Sequence, residues 1–318
     1  MDSNKPSVNS ESSIDKHEYS EYITPRAIDN VCDTRFFREA LFCLYKKFDG
    51  SSFFFRHYAS FLKKMLKLVT RPIHDELIKD ELFDQNKNRS VKDDTYSFDI
   101  DGVHFNFYLP YARFDLIQQT ILKCRNFDER ELLEKVHKKY LKPGFTYLDC
   151  GANIGNHCLF FACIARSKKI FAFEGCQPTY DILVKNIEVN NLQNVITAYN
   201  CVLGEKAGVA EISNCDLFNF GGTNFTESKE SDGIEMKPLD SFGFGEKIDF
   251  VKMDVEGFEY KVLKGGRNLL INDKPILWVE IFSCNYAKVS ELLAELGYRQ
   301  IEALDKNNYI FASSIKYP

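Results

Sequence analysis

The feature that most constrains the fold is an alternation of short apolar runs with helical segments, which begins at residue 145. The apolar runs predict strands at 146–150, 169–173, 195–202, 248–254 and 275–282. The segments between them predict helices at about 156–166, 178–191, 258–271 and 286–296. Strands that alternate with helices indicate a parallel sheet covered on both faces. Residues 298–313 predict a closing antiparallel pair, and residues 204–247 predict a β insertion or an irregular loop.

The chain before residue 145 has a different character. Residues 1–25 are polar and poor in aliphatic side chains, which predicts a disordered tail. Residues 26–139 predict a helical cap, with Phe-rich helices at 34–48 and 53–70, a hairpin at 95–109 and a helix at 128–140. The third predicted part, residues 140–318, holds the alternating pattern and forms the main domain.

Composition excludes several classes of protein. Hydrophobic residues make up 44% of the 318 residues, which excludes a chain that is disordered throughout. The net charge of −5 argues against a general binder of nucleic-acid phosphates. None of the ten cysteines forms a Cys-x-x-Cys pair, and the sequence shows no apolar run of about 20 residues. The polar character of the first twenty residues predicts that they are not a signal peptide. We therefore expect a cytoplasmic protein with free thiols and no membrane span.

The segment DCGANIGN (149–156) places a glycine-containing turn between a strand and a helix. Gly151 allows a sharp turn, and Gly155 permits close approach of the helix. The glycine spacing differs from the G-x-G-x-x-G of dinucleotide sites, where the helix start receives a pyrophosphate. Asp149 would repel that anion but suits a ligand that carries an ammonium or a sulfonium group.

A second acidic residue, Glu174, ends the next strand. It lies about 20 residues after the turn, where an acidic side chain accepts hydrogen bonds from ribose hydroxyls. Together the two elements specify a nucleoside with a positively charged tail, a description that S-adenosylmethionine fits.

These residues resemble the FkbM-type S-adenosylmethionine-dependent methyltransferases. The resemblance covers about 145–313 and rests on DCGANIGNH (149–157), FAFEGCQPTYDILVKNIEVNN (171–191), PLDSF (238–242), IDFVKMDVEGFEYKVLKGG (248–266) and WVEI (278–281). It implies an α/β fold with a Rossmann-like seven-stranded sheet, in which one strand near the C-terminus is reversed. It also implies methyl transfer to a hydroxyl group of a sugar or a related small molecule. The family's Glu-Pro after the second strand is replaced here by Glu174-Gly175-Cys176-Gln177-Pro178.

The predicted site has two sides. The cofactor side comprises Asp149, Gly151, Ala152, Asn153, Gly155, Asn156, Glu174, Gly175, Asn200 and Cys201. The acceptor side comprises the catalytic candidates Asp254, Glu256 and Glu280, which follow or end neighbouring strands. Carboxylates that share a cleft raise one another's pKa, so that one of them can assist removal of the hydroxyl proton. The segment Gly221–Phe225 is expected to form a flexible loop near the acceptor.

Several alternatives stay open at this stage. Glu256 could stabilise a helix N-terminus, and Asp254 could fix the turn after its strand. We assign no metal site, although two or three of these acids could instead bind Mg²⁺. His157 could face the donor or form only local hydrogen bonds. The alternative functions are a nucleotide-dependent oxidoreductase, a non-catalytic nucleoside-binding module and a nucleic-acid methyltransferase; the last lacks the Asn/Asp-Pro-Pro-aromatic sequence.

Overall fold

The structure, a computed structural model, describes residues 94–113, 115–216, 219–231 and 233–313. The predicted tail and the predicted helices at 34–48 and 53–70 lie outside these residues. In chain order the described strands are β1 (Thr95–Ile100), β2 (Val103–Tyr108), β3 (Thr146–Cys150), β4 (Lys169–Phe173), β5 (Ile196–Tyr199), β6 (Val202–Leu203), β7 (Gly208–Asp216), β8 (Asn219–Ser228), β9 (Ile234–Lys237), β10 (Phe250–Met253), β11 (Ile276–Glu280), β12 (Tyr298–Ala303) and β13 (Asn308–Ser313). The α-helices are α1 (Leu116–Cys124), α2 (Arg130–Tyr140), α3 (Asn156–Cys163), α4 (Gln177–Val189), α5 (Glu259–Gly265), α6 (Arg267–Asp273) and α7 (Ser283–Glu295).

A seven-stranded sheet organises these elements, in the order β12-β13-β11-β10-β3-β4-β5. Strand β13 runs antiparallel to both of its neighbours, and the other pairs from β11 to β5 are parallel. This confirms the predicted α/β sheet with one reversed strand near the C-terminus. The winding changes direction between β3 and β10. In open α/β sheets ligands bind at such a switch point, beyond the carboxyl ends of the strands.

The central strands are buried on both faces. All five residues of β3 are buried, and the indole of Trp278 in β11 is fully buried. Tyr147 of β3 stacks on Phe161 of α3, with ring centroids 5.1 Å apart. Burial of a side chain such as Phe161 contributes roughly 1.5–3 kcal/mol. Strands covered in this way have nearly continuous apolar sequences, and the predictions at 146–150 and 169–173 are confirmed to the residue.

The predicted strand at 195–202 is wrong as a single element. Strand β5 ends at Tyr199, whereas β6 belongs to a second sheet with the order β6-β9-β7-β8. Between β5 and β6, the side-chain amide of Asn200 donates to the carbonyl oxygen of Glu174 at 3.0 Å. This hydrogen bond holds the chain at the end of β4, at the point where the backbone leaves the central sheet. The second sheet forms the β insertion predicted for residues 204–247.

The predicted helix at 258–271 is interrupted as well. Helix α5 ends at Gly265, and α6 begins at Arg267. A side chain at Gly265 would meet the carbonyl oxygen of Gly204 at 2.0 Å, so the two backbones pack directly against each other. Two consecutive glycines favour a break because glycine is about 1 kcal/mol less favourable than alanine in a helix.

The hairpin predicted at 95–109 is confirmed. Strands β1 and β2 are antiparallel, and Asp101 and Gly102 between them both have positive φ. The outer edge of β2 is bonded by two amide side chains, Asn186 in α4 and Asn190 just after it. The N–H of Asn106 donates to Oδ1 of Asn190 at 2.9 Å, and the side-chain amide of Asn190 donates back to the carbonyl oxygen of Asn106. Residues 94–140 therefore pack on the main domain. That a domain boundary lies near residue 140 stays a prediction.

Asp115 connects α1 to the second sheet. Its Oδ2 accepts the N–H of Gln118 at 3.0 Å, which caps α1. Its Oδ1 accepts the N–H of Phe220 in β8 at 2.9 Å. One buried carboxylate thus fixes two segments that come from distant parts of the sequence.

The described helices are all too short or too polar to cross a membrane. The described cysteines are free thiols, and Cys150, Cys158, Cys176 and Cys201 are buried. Burial raises the pKa of the Cys150 thiol well above its usual range. Burial likewise raises the pKa of Cys158 and Cys201, so these three thiols are protonated and behave as small apolar side chains.

Candidate active site

The turn after β3 is fixed against the ends of β4 and β10. Gly151 and Asn153 have left-handed backbone conformations, with φ of 82° and 50°. A side chain at Gly151 would meet the carbonyl oxygen of Asp254 at 1.7 Å, so only glycine fits. The N–H groups of Gly151 and Ala152 both donate to the carbonyl oxygen of Phe173, at 3.0 and 2.9 Å. The turn therefore has one defined position relative to the sheet.

Glu174 is bonded to this turn. Its Oε2 accepts the N–H of Asn153 at 2.9 Å, and its Oε1 accepts the N–H of Cys176 at 2.7 Å. Burial raises the pKa of Glu174 to about 7, and the charges of Asp254 and Asp149 act in the same direction. A carboxylate has about four acceptor positions, so about two remain for hydroxyl groups of a ligand.

A cavity of about 270 Å³ opens beyond the carboxyl ends of β3, β4, β10 and β11. Most residues of the predicted site line it: Gly151, Ala152, Asn153, Asn156, Glu174, Gly175, Cys201, Asp254, Glu256 and Glu280. The structure thus brings both predicted sides of the site to one cavity. Their individual binding and catalytic roles stay predictions.

Three residues of the predicted site do not line the cavity. Asp149 is fully buried within β3, and its Oδ2 accepts the thiol of Cys158 at 3.1 Å. Gly155 begins α3 against α4, where an added side chain would meet Leu183 at 2.7 Å. Asn200 holds the end of β4, as described above. Each of these three residues contacts a neighbouring element of the fold instead of the cavity, and so supports the wall of the site.

An acidic cluster lines the cavity, consisting of Asp128, Glu129, Asp254, Glu256 and Glu280. Burial and, to a smaller extent, the charge of Asp254 raise the pKa of Glu256 to about 7. Burial and the charge of Asp254 also raise the pKa of Glu280. Burial raises the pKa of Asp128 to about 6. These carboxylates repel one another, so a cationic ligand would stabilise their ionised forms.

Lys252 is the one lysine or arginine among the described residues that line the cavity. It lies in β10 between Asp149 of β3 and Trp278 of β11, and its Nζ is 3.0 Å from Oδ2 of Asp254. Burial alone would lower the pKa of Lys252. The carboxylates of Asp254, Asp149 and Glu129 outweigh burial and raise this pKa above its usual range. The lysine is therefore charged and partly neutralises the acidic cluster.

Several lining residues were not predicted as site residues. Asp128 and Glu129 precede α2, Leu116 and Ile117 begin α1, and Phe220 belongs to β8. Their positions depend on tertiary packing, which leaves no local signal in the sequence. Lys252 did have a signal, because a lysine inside the apolar strand FVKM requires a buried partner.

The segment Gly221–Phe225, predicted to be a loop near the acceptor, is part of strand β8 instead. Its bulges against β7 let it depart from regular alternation. Gly221, Thr223 and Phe225 nevertheless line the cavity. The expected irregular conformation is wrong, and the expected place of the segment beside the acceptor stays a prediction.

The described residues include no group of three or more His, Cys, Asp or Glu side chains placed to hold a metal ion. Asp254 is already engaged by Lys252. The geometry therefore gives no support to the Mg²⁺ alternative.

Comparison with known proteins gives a family match. The family model "Methyltransferase FkbM domain" matches residues 149–300. The curated protein "Methyltransferase sdnD" of Sordaria araneosa is 29% identical, over 37% of this chain and 59% of that protein. The chain thus spans less than two thirds of the length of this relative.

Solved structures with similar folds include the FkbM methyltransferase of Methylobacillus flagellatus KT. It has 19% sequence identity and a TM-score of 0.41, and the match covers 62% of this chain and 52% of that chain. The M. jannaschii TYW2 structure in complex with AdoMet has 13% identity and a TM-score of 0.39, with 70% and 86% covered.

Proposed function

We propose that this chain, whose residues 149–300 match the family model of the methyltransferase FkbM domain, transfers a methyl group from S-adenosylmethionine to a hydroxyl group of a small acceptor. The acceptor class that we propose is a carbohydrate or a related metabolite. The observation that carries the proposal is the meeting of the Glu174 turn and the acidic cluster on one cavity. A nucleoside with a cationic tail matches both parts.

The chemistry of the lining residues fits this donor. Glu174 keeps acceptor positions for ribose hydroxyls, and the acidic cluster exceeds the charge of Lys252. Phe173, Val202 and Phe225 provide apolar surface for a base. A pyrophosphate or a nucleic-acid backbone would be repelled by the same carboxylates, which argues against NAD and against nucleic-acid acceptors.

When bound, S-adenosylmethionine supplies an electrophilic methyl group on a sulfonium centre. The acidic cluster balances that positive charge and binds the acceptor through hydrogen bonds to its hydroxyl groups. Catalysis comes mainly from holding the acceptor oxygen in line with the methyl group. Asp254, Glu256 and Glu280 are the carboxylates that we propose for assisting proton removal; a pKa near 7, as at Glu256, suits that task at neutral pH.

Calorimetric titration with S-adenosylmethionine tests the donor site. Glu174→Ala should abolish measurable binding, because it removes the proposed ribose acceptor. Glu188→Ala, at an exposed glutamate of α4, is the matched control and should bind like the wild type. Unchanged affinity in Glu174→Ala would refute the donor site, and binding of NAD in its place would favour an oxidoreductase.

Transfer of labelled methyl groups to a panel of neutral sugars, phosphorylated sugars and RNA tests the acceptor. We expect product with neutral hydroxylated acceptors. Asp254→Asn should keep donor affinity and lower kcat, since a neutral amide cannot assist removal of the hydroxyl proton. Product on RNA alone would refute the acceptor class, and full activity of Asp254→Asn would remove this residue from the catalytic group.

A further inference from the structure

His157 and Glu129 form a pair at the cavity that the proposed mechanism does not use. His157 is the second residue of α3, and its Nε2 lies 3.3 Å from Oε2 of Glu129. The imidazole also stacks on Trp278, with ring centroids 5.4 Å apart and an angle of 26° between the rings. The ring is thus held on one face by an indole and at one edge by a carboxylate. Because Nε2 faces Glu129, Nδ1 remains to accept a proton.

The backbone before α2 is shaped so that Glu129 reaches His157. Glu129 has a φ of 54°, which is uncommon for a residue other than glycine. The preceding residue is fixed by Asn156: the N–H of Asp128 donates to Oδ1 of Asn156, and the amide of Asn156 donates to the carbonyl oxygen of Asp128, both at 3.1 Å. Glu129 is also the residue that precedes α2, yet its side chain does not cap that helix. It faces His157 instead.

Glu129 stays ionised in this position. Burial alone would raise the pKa of Glu129. The hydrogen bond from His157 and the charge of Lys252 outweigh burial and hold this pKa below its usual range. A buried carboxylate that remains charged beside an imidazole can fix its tautomer and stabilise the protonated ring. Asp128, on the same turn, adds a further negative charge near His157.

We infer that His157 is a further catalytic residue of the proposed methyl transfer: it is the group that takes the proton of the acceptor hydroxyl, and Glu129 orients its ring. Asp254, Glu256 and Glu280 then assist the step by binding the hydroxyl group and by stabilising the imidazolium charge. This inference rests on the proposed function. The acceptor oxygen bonds to the methyl carbon while the carbon–sulfur bond breaks, and the electron pair of that bond stays on sulfur. The hydroxyl proton passes to Nδ1, which leaves an imidazolium beside Glu129.

The charges in the cavity favour this route. The positive charge of the donor is lost when the methyl group leaves, and the imidazolium restores one positive charge within the same acidic cluster. The charged groups that face His157 are Glu129 and Asp128, with Lys252 acting on the pair through Glu129. One positive charge therefore stays beside the acidic cluster throughout the step, where the carboxylates stabilise it.

The kinetic test uses His157→Gln and Glu129→Gln in the full chain. We expect His157→Gln to lower kcat about 100-fold or more, the contribution typical of a general base, with S-adenosylmethionine affinity within about 2-fold of the wild type. Glu129→Gln keeps an acceptor for Nε2 but loses the charge, and should lower kcat by about 10-fold. His104→Gln, at an exposed histidine of β2, is the matched control. Wild-type kcat in His157→Gln would overturn the inference.

A spectroscopic test does not depend on activity. In ¹⁵N-histidine NMR of the ligand-free protein, the His157 resonances are assigned by their loss in His157→Gln or His157→Asn. We expect the neutral ring to carry its proton on Nε2 and to become a mixture of tautomers in Glu129→Ala. A proton on Nδ1 in the wild type would overturn the inference. If the wild type methylates no hydroxyl acceptor, the proposed function and this inference both fail. If the wild type is active and only the His157→Gln and NMR results disagree with expectation, this inference fails and the proposed function stands.

Discussion

Replacement of Gly151 by alanine would place a methyl group 1.7 Å from the carbonyl oxygen of Asp254. That is about half of an ordinary van der Waals separation. Two costs follow. A left-handed conformation costs an alanine roughly 1–2 kcal/mol, and overpacking against a fixed neighbour costs roughly 1–3 kcal/mol more. We therefore expect Gly151→Ala to lower the free energy of unfolding by about 2–5 kcal/mol.

Gly144→Ala is the matched control, because it also places an alanine in a left-handed conformation but causes no steric clash. Gly144 has a φ of 83°, against 82° at Gly151, but a side chain there would meet no atom within 4 Å. We expect it to lower the free energy of unfolding by about 1–2 kcal/mol. The effect of alanine on the unfolded chain is the same in both variants, so the difference between them isolates the steric cost.

Urea unfolding of the two variants and the wild type measures this difference, provided that the slope m is unchanged. Calorimetry with S-adenosylmethionine completes the comparison: Gly151→Ala should lose affinity, since the Asp254 carbonyl group must move, and Gly144→Ala should not. Equal losses of stability within about 0.5 kcal/mol would refute the argument that the turn after β3 is tightly packed against β10.

Three further predictions follow from the site. Asp115→Ala removes the cap of α1 and the acceptor of the Phe220 N–H, and should lower the free energy of unfolding by about 1–2 kcal/mol in urea titrations. The raised pKa of Glu256 means that the folded protein keeps a proton that the unfolded chain releases, so this residue makes stability fall as pH rises towards about 7. Glu256→Gln should make that fall shallower in unfolding measured across a pH series; an identical slope would contradict the raised pKa. Lys252→Met leaves the buried carboxylate of Asp149 and that of Asp254 without their cation. It should lower the free energy of unfolding in urea titrations by about 3 kcal/mol.

The central sheet could be predicted from the sequence because its strands are buried on both faces. Their apolar runs, such as TYLDC in β3 and KIFAF in β4, coincide with the strands themselves. The two errors in this region have causes that an apolar pattern does not contain. Asn200 diverts the chain with a side-chain hydrogen bond, and Gly265 divides a helix through a contact with a distant backbone.

The candidate site was predictable only where it lies at strand ends. Glu174, Asp254 and Glu280 could be assigned to one cleft because parallel strands align their carboxyl ends. Asp149 was expected to face the donor, yet it lies one residue too early, inside β3, where α3 covers it. Glu129 reaches the cavity through an unusual backbone conformation and the packing of α2, neither of which a strand-by-strand argument can anticipate.

The stacking of His157 on Trp278 also gives the protein a built-in optical probe. The chain has a single tryptophan, and its indole is fully buried, with Nε1 donating to Oδ1 of Asn308 at 2.7 Å. All indole emission therefore originates at one point beside the cavity. A protonated imidazole quenches a stacked indole more than a neutral one does, so unlabelled protein would report the charge of His157 directly as fluorescence intensity.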